Sequence, residues 1–253
     1  MHGQVRDSAR EVVPLVVDLL HPRRVVDVGC GTGTWLAAFA ERGATEVLGL
    51  DGEYVDRTLL DIPMDRFVPA DLTQPVRQLG RYDLALCLEV AEHLPASRAA
   101  GLVNDLTNLA PVVLFSAAIP LQSGVNHINE QWPEYWASLF RNRGFVPIDC
   151  IRRTVWQNSK VAWFYAQNML LYADERHARS HALLASQLAG TNIGQLAMVH
   201  PSCFVSRVWA EHDLANRPLR QILAALPGLS RKAFRRQLRR LLPNNGGRVP
   251  NDH

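Results

Sequence analysis

What this sequence lacks narrows the field before any motif is read. No stretch of its 253 residues approaches the roughly 20 consecutive apolar positions that a membrane-spanning helix needs. Met1 to Asp7 hold no apolar core of a signal peptide, so the expectation is a cytoplasmic protein without a transmembrane segment. Cysteine is scarce. Cys30, Cys87, Cys150 and Cys203 are far apart, form no Cys-x-x-Cys pair and sit among apolar or small neighbours, which predicts reduced, mostly buried thiols. Net charge is only +3, and much of the positive excess lies between Arg231 and Arg240, so no nucleic-acid footprint spans the whole chain. Internal repeats are absent as well.

What is present is enough for one full core. With 47% hydrophobic and 20% charged residues, the chain reads as one catalytic domain with additions. Apolar positions between Asp7 and Leu20 recur at helical spacing, with Pro14 limiting how far upstream that helix extends. Short β-branched or apolar runs then alternate with helical segments: strands at 24–28, 46–50, 66–70, 82–88 and 111–116, helices at 35–42 and 98–109. Pro133 opens a further helix that Gly144 ends, and 145–155 and 161–172 are expected as two long strands joined at Asn158 and Ser159. Such alternation implies a doubly wound, mainly parallel, seven-stranded Rossmann-like α/β sheet. Beyond Asp174 the pattern turns helical, with a segment at 182–188 broken by Gly190 and an amphipathic one from Leu226 to Leu242.

The chemistry begins at Asp27-Val28-Gly29-Cys30-Gly31-Thr32-Gly33. A glycine-rich turn between strand and helix lets the backbone approach a charged ligand, and the next helix presents free N–H groups. Asp51 ends the following strand, where it can accept hydrogen bonds from two ribose hydroxyls. Dehydrogenases with this turn usually carry Gly-x-Gly-x-x-Gly, which differs from Gly29-x-Gly31-x-Gly33. The stretch resembles the first motif of the class I S-adenosylmethionine-dependent methyltransferases. That resemblance covers residues 23–173 and implies cofactor contacts at Asp27, Gly29, Cys30, Gly31, Gly33, Asp51 and Gly52. It also implies that Asp71 and Leu72 flank the adenine and that Glu89 and Val90 lie beside the methionine part. In these terms 1–173 is the catalytic domain, 174–243 a helical extension packed on it and 244–253 a disordered tail.

A second constellation follows the fourth strand. Glu89, Glu92 and His93 fall at the carboxyl end of that strand, and His127 in a loop after the fifth strand would reach the same edge. Two carboxylates and two imidazoles suit a divalent cation that binds acceptor hydroxyls. The arrangement resembles the small-RNA 3′-end 2′-O-methyltransferases and is similar to the ubiquinone-pathway O-methyltransferases, which implies a metal site at Glu89, Glu92, His93 and His127. The same residues admit a metal-free reading, in which Glu89 contacts only the cofactor and His127, then His93, then Glu130 is the candidate general base.

Trp132, Tyr135, Trp136, Trp156 and Trp163 with nearby amides suit stacking on sugar rings or planar metabolites, although alternation sends about half of such side chains inward. The reading is therefore O-methylation of a small hydroxyl-bearing acceptor, a sugar, glycan or natural-product intermediate. Two other readings stay open: a metal-dependent 2′-O-methyltransferase of RNA ends, and a non-catalytic partner protein that keeps the cofactor fold.

Overall fold

The structure, a computed structural model, describes residues 2–76 and 79–212. Those up to Val205 belong to one compact unit, and the account below concerns that unit. Seven strands make one sheet: β1 Arg24–Val28, β2 Glu46–Asp51, β3 Phe67–Pro69, β4 Leu84–Leu88, β5 Val112–Ser116, β6 Phe145–Ile148 and β7 Leu170–Asp174. Their order is β3-β2-β1-β4-β5-β7-β6, with every pair parallel except the two that involve β7. Register pairs Val28 with Leu50, Leu88 with Ser116 and Phe115 with Leu170. The carboxyl ends of β1, β2, β4 and β5 therefore share one edge with the start of the reversed β7.

Helices cover both faces, which is why β4 and β5 are buried along their whole length. Leu84, Leu86 and Leu88 pack on one side with residues of α1 (His2–Leu20), α2 (Thr34–Glu41), α5 (Ile151–Val155) and α6 (Trp163–Asn168). Ala85 and Cys87 face the other side, against α3 (Ala99–Leu109) and α4 (Pro133–Arg141). The helices α7 (Glu175–Ser180), α8 (Ala182–Ala189) and α9 (Pro201–His212) follow β7. No helix among the described residues is long and apolar enough to cross a membrane. The expected amphipathic segment at 226–242 and the tail at 244–253 lie outside the described residues.

Two expectations from periodicity are overturned. The stretches 145–155 and 161–172 are not long strands: each is a short strand joined to a short helix, β6 to α5 and α6 to β7. Arg152 is the physical reason. Its guanidinium is fully buried, forks onto both oxygens of Asp149 at 2.9 and 2.8 Å, and donates to the carbonyls of Gln167 and Leu196. An extended chain would point positions 149 and 152 to opposite faces, whereas a helical turn brings them together. Pro14 also fails to limit its helix, since α1 runs from His2 through it. Proline there deprives the Arg10 carbonyl of a donor, but Arg10 is exposed to water, while Ala9, Val12, Val13 and Val16 anchor the helix in the core.

Candidate functional site

The turn between β1 and α2 is built from three glycines in the left-handed region, with φ of 90° at Gly29, 53° at Gly31 and 82° at Gly33. Two of them are also sites of close approach. A Cβ on Gly29 would lie 2.3 Å from Val90 Cγ2, and one on Gly33 would lie 2.7 Å from Ile62 Cγ1, whereas Gly31 faces open space. Beside this turn a cavity of about 920 Å³ opens at the carboxyl edge. Gly29, Gly31, Asp51, Gly52, Asp71, Leu72, Glu89, Val90 and His93 line it.

Asp27, Cys30 and Gly33, also expected to contact the cofactor, do not line that cavity. Cys30 points beneath the turn, its sulfur packed where Gly49 leaves room, and burial raises its thiol pKa. Gly33 supplies the turn into α2, its amide hydrogen-bonded to the Cys30 carbonyl at 2.9 Å. Asp27 is buried, and its Oδ1 has no hydrogen-bond partner. Burial first and the nearby Asp51 second push its pKa up to about 7.

Asp51 is treated in the opposite way. Its carboxylate accepts from the Gly31 amide at 2.7 Å, from the Gly52 amide at 2.7 Å and from the Tyr54 hydroxyl. The Tyr54 ring, largely exposed, lies over Gly52 at the cavity wall, where partial desolvation and the bond to Asp51 raise its phenol pKa. Asp71 turns back onto the amide and hydroxyl of Thr73, which hold its pKa below the usual carboxylate range.

Farther along the edge, the structure brings together three of the four residues expected to hold a metal. Ligand atoms of Glu92, His93 and His127 lie within 4.8 Å of one another. Glu89 departs from that set. Its carboxylate is claimed by Asn168 Nδ2 at 3.1 Å and Gln122 Nε2 at 3.2 Å, and burial raises its pKa. Glu92 is fully buried with neither side-chain oxygen hydrogen-bonded, and burial followed by repulsion from Glu89 raises its pKa to about 9.

The two imidazoles meet edge to face, with ring centroids 4.9 Å apart. His93 reaches the cavity wall, and His127 sits one ring behind it. His127 Nδ1 lies 3.0 Å from Glu130 Oε1, and Glu130 also accepts from the amides of Leu121 at 2.8 Å and Ser123 at 2.6 Å. Since a carboxylate can only accept at this contact, His127 donates through Nδ1–H, which in the neutral ring leaves Nε2 with the lone pair. Burial and His127 depress the His93 pKa.

Sequence reasoning missed the polar lattice behind these groups. Gln122 and Asn168 hold Glu89, Gln167 bonds both of them, and the Ser116 hydroxyl accepts from the Glu89 amide. Gln167 and Asn168, amides next to the aromatic stretch 163–165, are both buried. Glu89 itself has φ of 56°, and Leu121, Ser123 and Asn126 are left-handed as well, a cluster of strained non-glycine residues around one site.

A seven-stranded sheet with one reversed strand, opening such a cavity above a glycine turn, defines the class I S-adenosylmethionine-dependent methyltransferases. Residues 1–155 match the family model described as Methyltransferase domain, and the chain belongs to that family. The chain is 33% identical over 132 residues to magnesium-protoporphyrin O-methyltransferase of Synechocystis sp., covering 49% of this chain and 56% of that enzyme. It is 37% identical over 81 residues to ubiquinone biosynthesis O-methyltransferase of Acinetobacter baylyi, covering 29% and 34% of the respective chains. The match thus spans about half or less of these curated relatives. Among solved structures, the magnesium protoporphyrin IX methyltransferase of Synechocystis with bound SAM aligns with a TM-score of 0.50 at 24% identity, over 69% of this chain and 80% of that one.

Proposed function

We propose that the chain moves the methyl group of S-adenosylmethionine to a hydroxyl oxygen of a small acceptor, a sugar, glycan or natural-product intermediate. The observation that carries this reading is the histidine pair at the cavity edge: His93 lines the cavity, and His127, held by Glu130 through Nδ1, packs 4.9 Å behind it. Bound there, S-adenosylmethionine would supply the methyl group, its carbon–sulfur bond exchanged for a carbon–oxygen bond with S-adenosylhomocysteine as the leaving product, and His127 would take the hydroxyl proton. Alignment and exclusion of water supply much of the acceleration in such a displacement. His93 would form the wall against which the acceptor is held.

On the cofactor side, Asp51 and Gly52 would take the ribose, with Tyr54 moving off the Asp51 carboxylate. Asp71 and Leu72 would flank the adenine, and the unpartnered buried oxygen of Asp27 fits a cationic group such as the methionine ammonium. Radiolabelled S-adenosylmethionine incubated with a panel of sugars and phenols tests the reading. His127→Ala should lower turnover about 100-fold or more while S-adenosylhomocysteine affinity stays unchanged. A larger loss in His93→Ala would move the base to His93, and transfer only to nitrogen or carbon acceptors would overturn the reading.

The bare, buried Glu92 favours a second reading. Glu92, His93 and His127 would hold a divalent cation, which would supply acidification of the acceptor hydroxyl. Turnover of chelator-treated protein, restored by manganese or magnesium and unrestored in Glu92→Gln, would favour it over the metal-free base.

A further inference from the structure

A second cleft of about 490 Å³ lies apart from the cofactor cavity and shares no residue with it. The half-buried rings of Trp156 and Trp163 wall it, with His200 4.8 Å from Trp156 between ring centroids. Both nitrogens of His200 are spent: Nδ1 accepts from the Ser202 amide at 3.1 Å, so Nε2 carries the proton and donates to the Trp156 carbonyl at 3.0 Å. The ring is therefore a fixed, neutral wall.

The polar rim is of a different kind. The side chains of Gln4, Gln157 and Ser159 line the cleft and make no hydrogen bond to the described residues. Among the described residues no aspartate, glutamate, lysine or arginine lines it. Aromatic faces with unspent neutral donors and acceptors match a ligand whose faces are apolar and whose edge is hydroxylated. A nucleotide or phosphate would find no cation there, and a cationic ligand no carboxylate.

Position ties the cleft to the reaction edge. The connection from β6 to β7 lies at the carboxyl edge, and it carries both tryptophans. Hydrogen bonds run from the His200 amide to Gln167 Oε1 at 2.8 Å, from Gln167 to Asn168 at 2.9 Å and from Asn168 to Glu89 at the cofactor cavity.

We propose that this cleft is a saccharide subsite, binding a neutral sugar ring of the acceptor between Trp156 and Trp163 at a distance from the methylated hydroxyl. The meaning of the site rests on the hydroxyl-methylation reading, but its occupancy does not. Saturation-transfer NMR on the full chain with S-adenosylhomocysteine present, using the methyl glycosides of glucose, galactose, mannose, rhamnose and N-acetylglucosamine, tests it directly. Transfer to ring protons of at least one glycoside is expected. Trp163→Ala should weaken that glycoside about tenfold and Trp163→Phe should retain it, both with unchanged S-adenosylhomocysteine affinity as the check on folding. Absence of transfer to all five, or transfer undiminished in Trp163→Ala, would overturn the proposal. Glycoside binding with no methyl transfer to any hydroxyl of the sugar and phenol panel would sink the proposed function and leave the subsite standing.

Discussion

The two ends of the carboxyl edge manage buried polar groups in opposite ways. At the glycine turn the donors belong to the backbone and to near neighbours: Asp51 is satisfied by Gly31, Gly52 and Tyr54. At the histidine end Glu89 instead takes its donors from side chains of distant segments, Gln122 and Asn168, while Glu130 is held by backbone amides of its own loop. A site made of backbone amides needs only a local turn, whereas a lattice of amides requires that the whole sheet edge be assembled first. Each end also keeps one buried carboxyl group short of partners, Asp27 and Glu92 respectively.

The steepest way to break the cofactor end is Gly29→Ala. The new Cβ would meet Val90 at 2.3 Å in a backbone with φ of 90°, so a loss of about 3 kcal/mol or more in stability is expected, with cofactor binding lost as well. Calorimetric titration with S-adenosylhomocysteine and a urea melt read both; binding within twofold of the parent would contradict the packing argument.

Asp27 offers an effect of similar size, with a pH signature. Its folded pKa of about 7 lies above the unfolded carboxyl value, so the native state holds the extra proton between roughly pH 4 and 7. Native stability must then fall as pH rises through that window. Asp27→Asn cannot ionise and escapes the loss, by on the order of 4 kcal/mol at most above pH 7 and by nothing at pH 4. Urea midpoints at pH 5 and pH 8 should diverge between the two proteins, and parallel curves would show that Asp27 is not strained by its burial. The same substitution should weaken S-adenosylhomocysteine binding.

Glu130→Gln sharpens the contrast from the acceptor end. An amide at that position no longer holds the Nδ1 proton of His127 by charge, so turnover should fall by about 10- to 100-fold with cofactor affinity intact. Equal losses in both would mean that the loop only supports the fold. The smallest effect is reserved for Gly31→Ala, where a Cβ meets open space and only the left-handed backbone is penalised, about 1 kcal/mol in a urea melt. A collapse comparable to Gly29→Ala would erase the distinction between turn geometry and close approach.

Legibility follows the same division. Asp27 to Gly33 and Asp51 could be read because turn, strand end and acid are tied by short spacing on a repeating βαβ frame. His127 could be placed at the same edge as His93 because strands β4 and β5 end there together. The partners of Glu89 could not, since Gln122 and Asn168 lie 33 and 79 positions away and look in isolation like surface amides. The alternation that suggested long strands at 145–155 and 161–172 was real as a pattern, but a buried Arg152–Asp149 pair three positions apart overrode it.

By itself, then, the sequence determined the strand-and-helix alternation, the glycine turn and the acid after β2, because each rests on local steric rules or on spacing within one supersecondary unit. Only the tertiary structure decided which carboxylates are satisfied and which are left bare. It drew Glu89 away from the histidine pair and turned Glu130 onto His127, and it set two tryptophans around an uncharged cleft. Those outcomes depend on which distant side chains reach a buried point first, and burial makes each such choice costly to reverse.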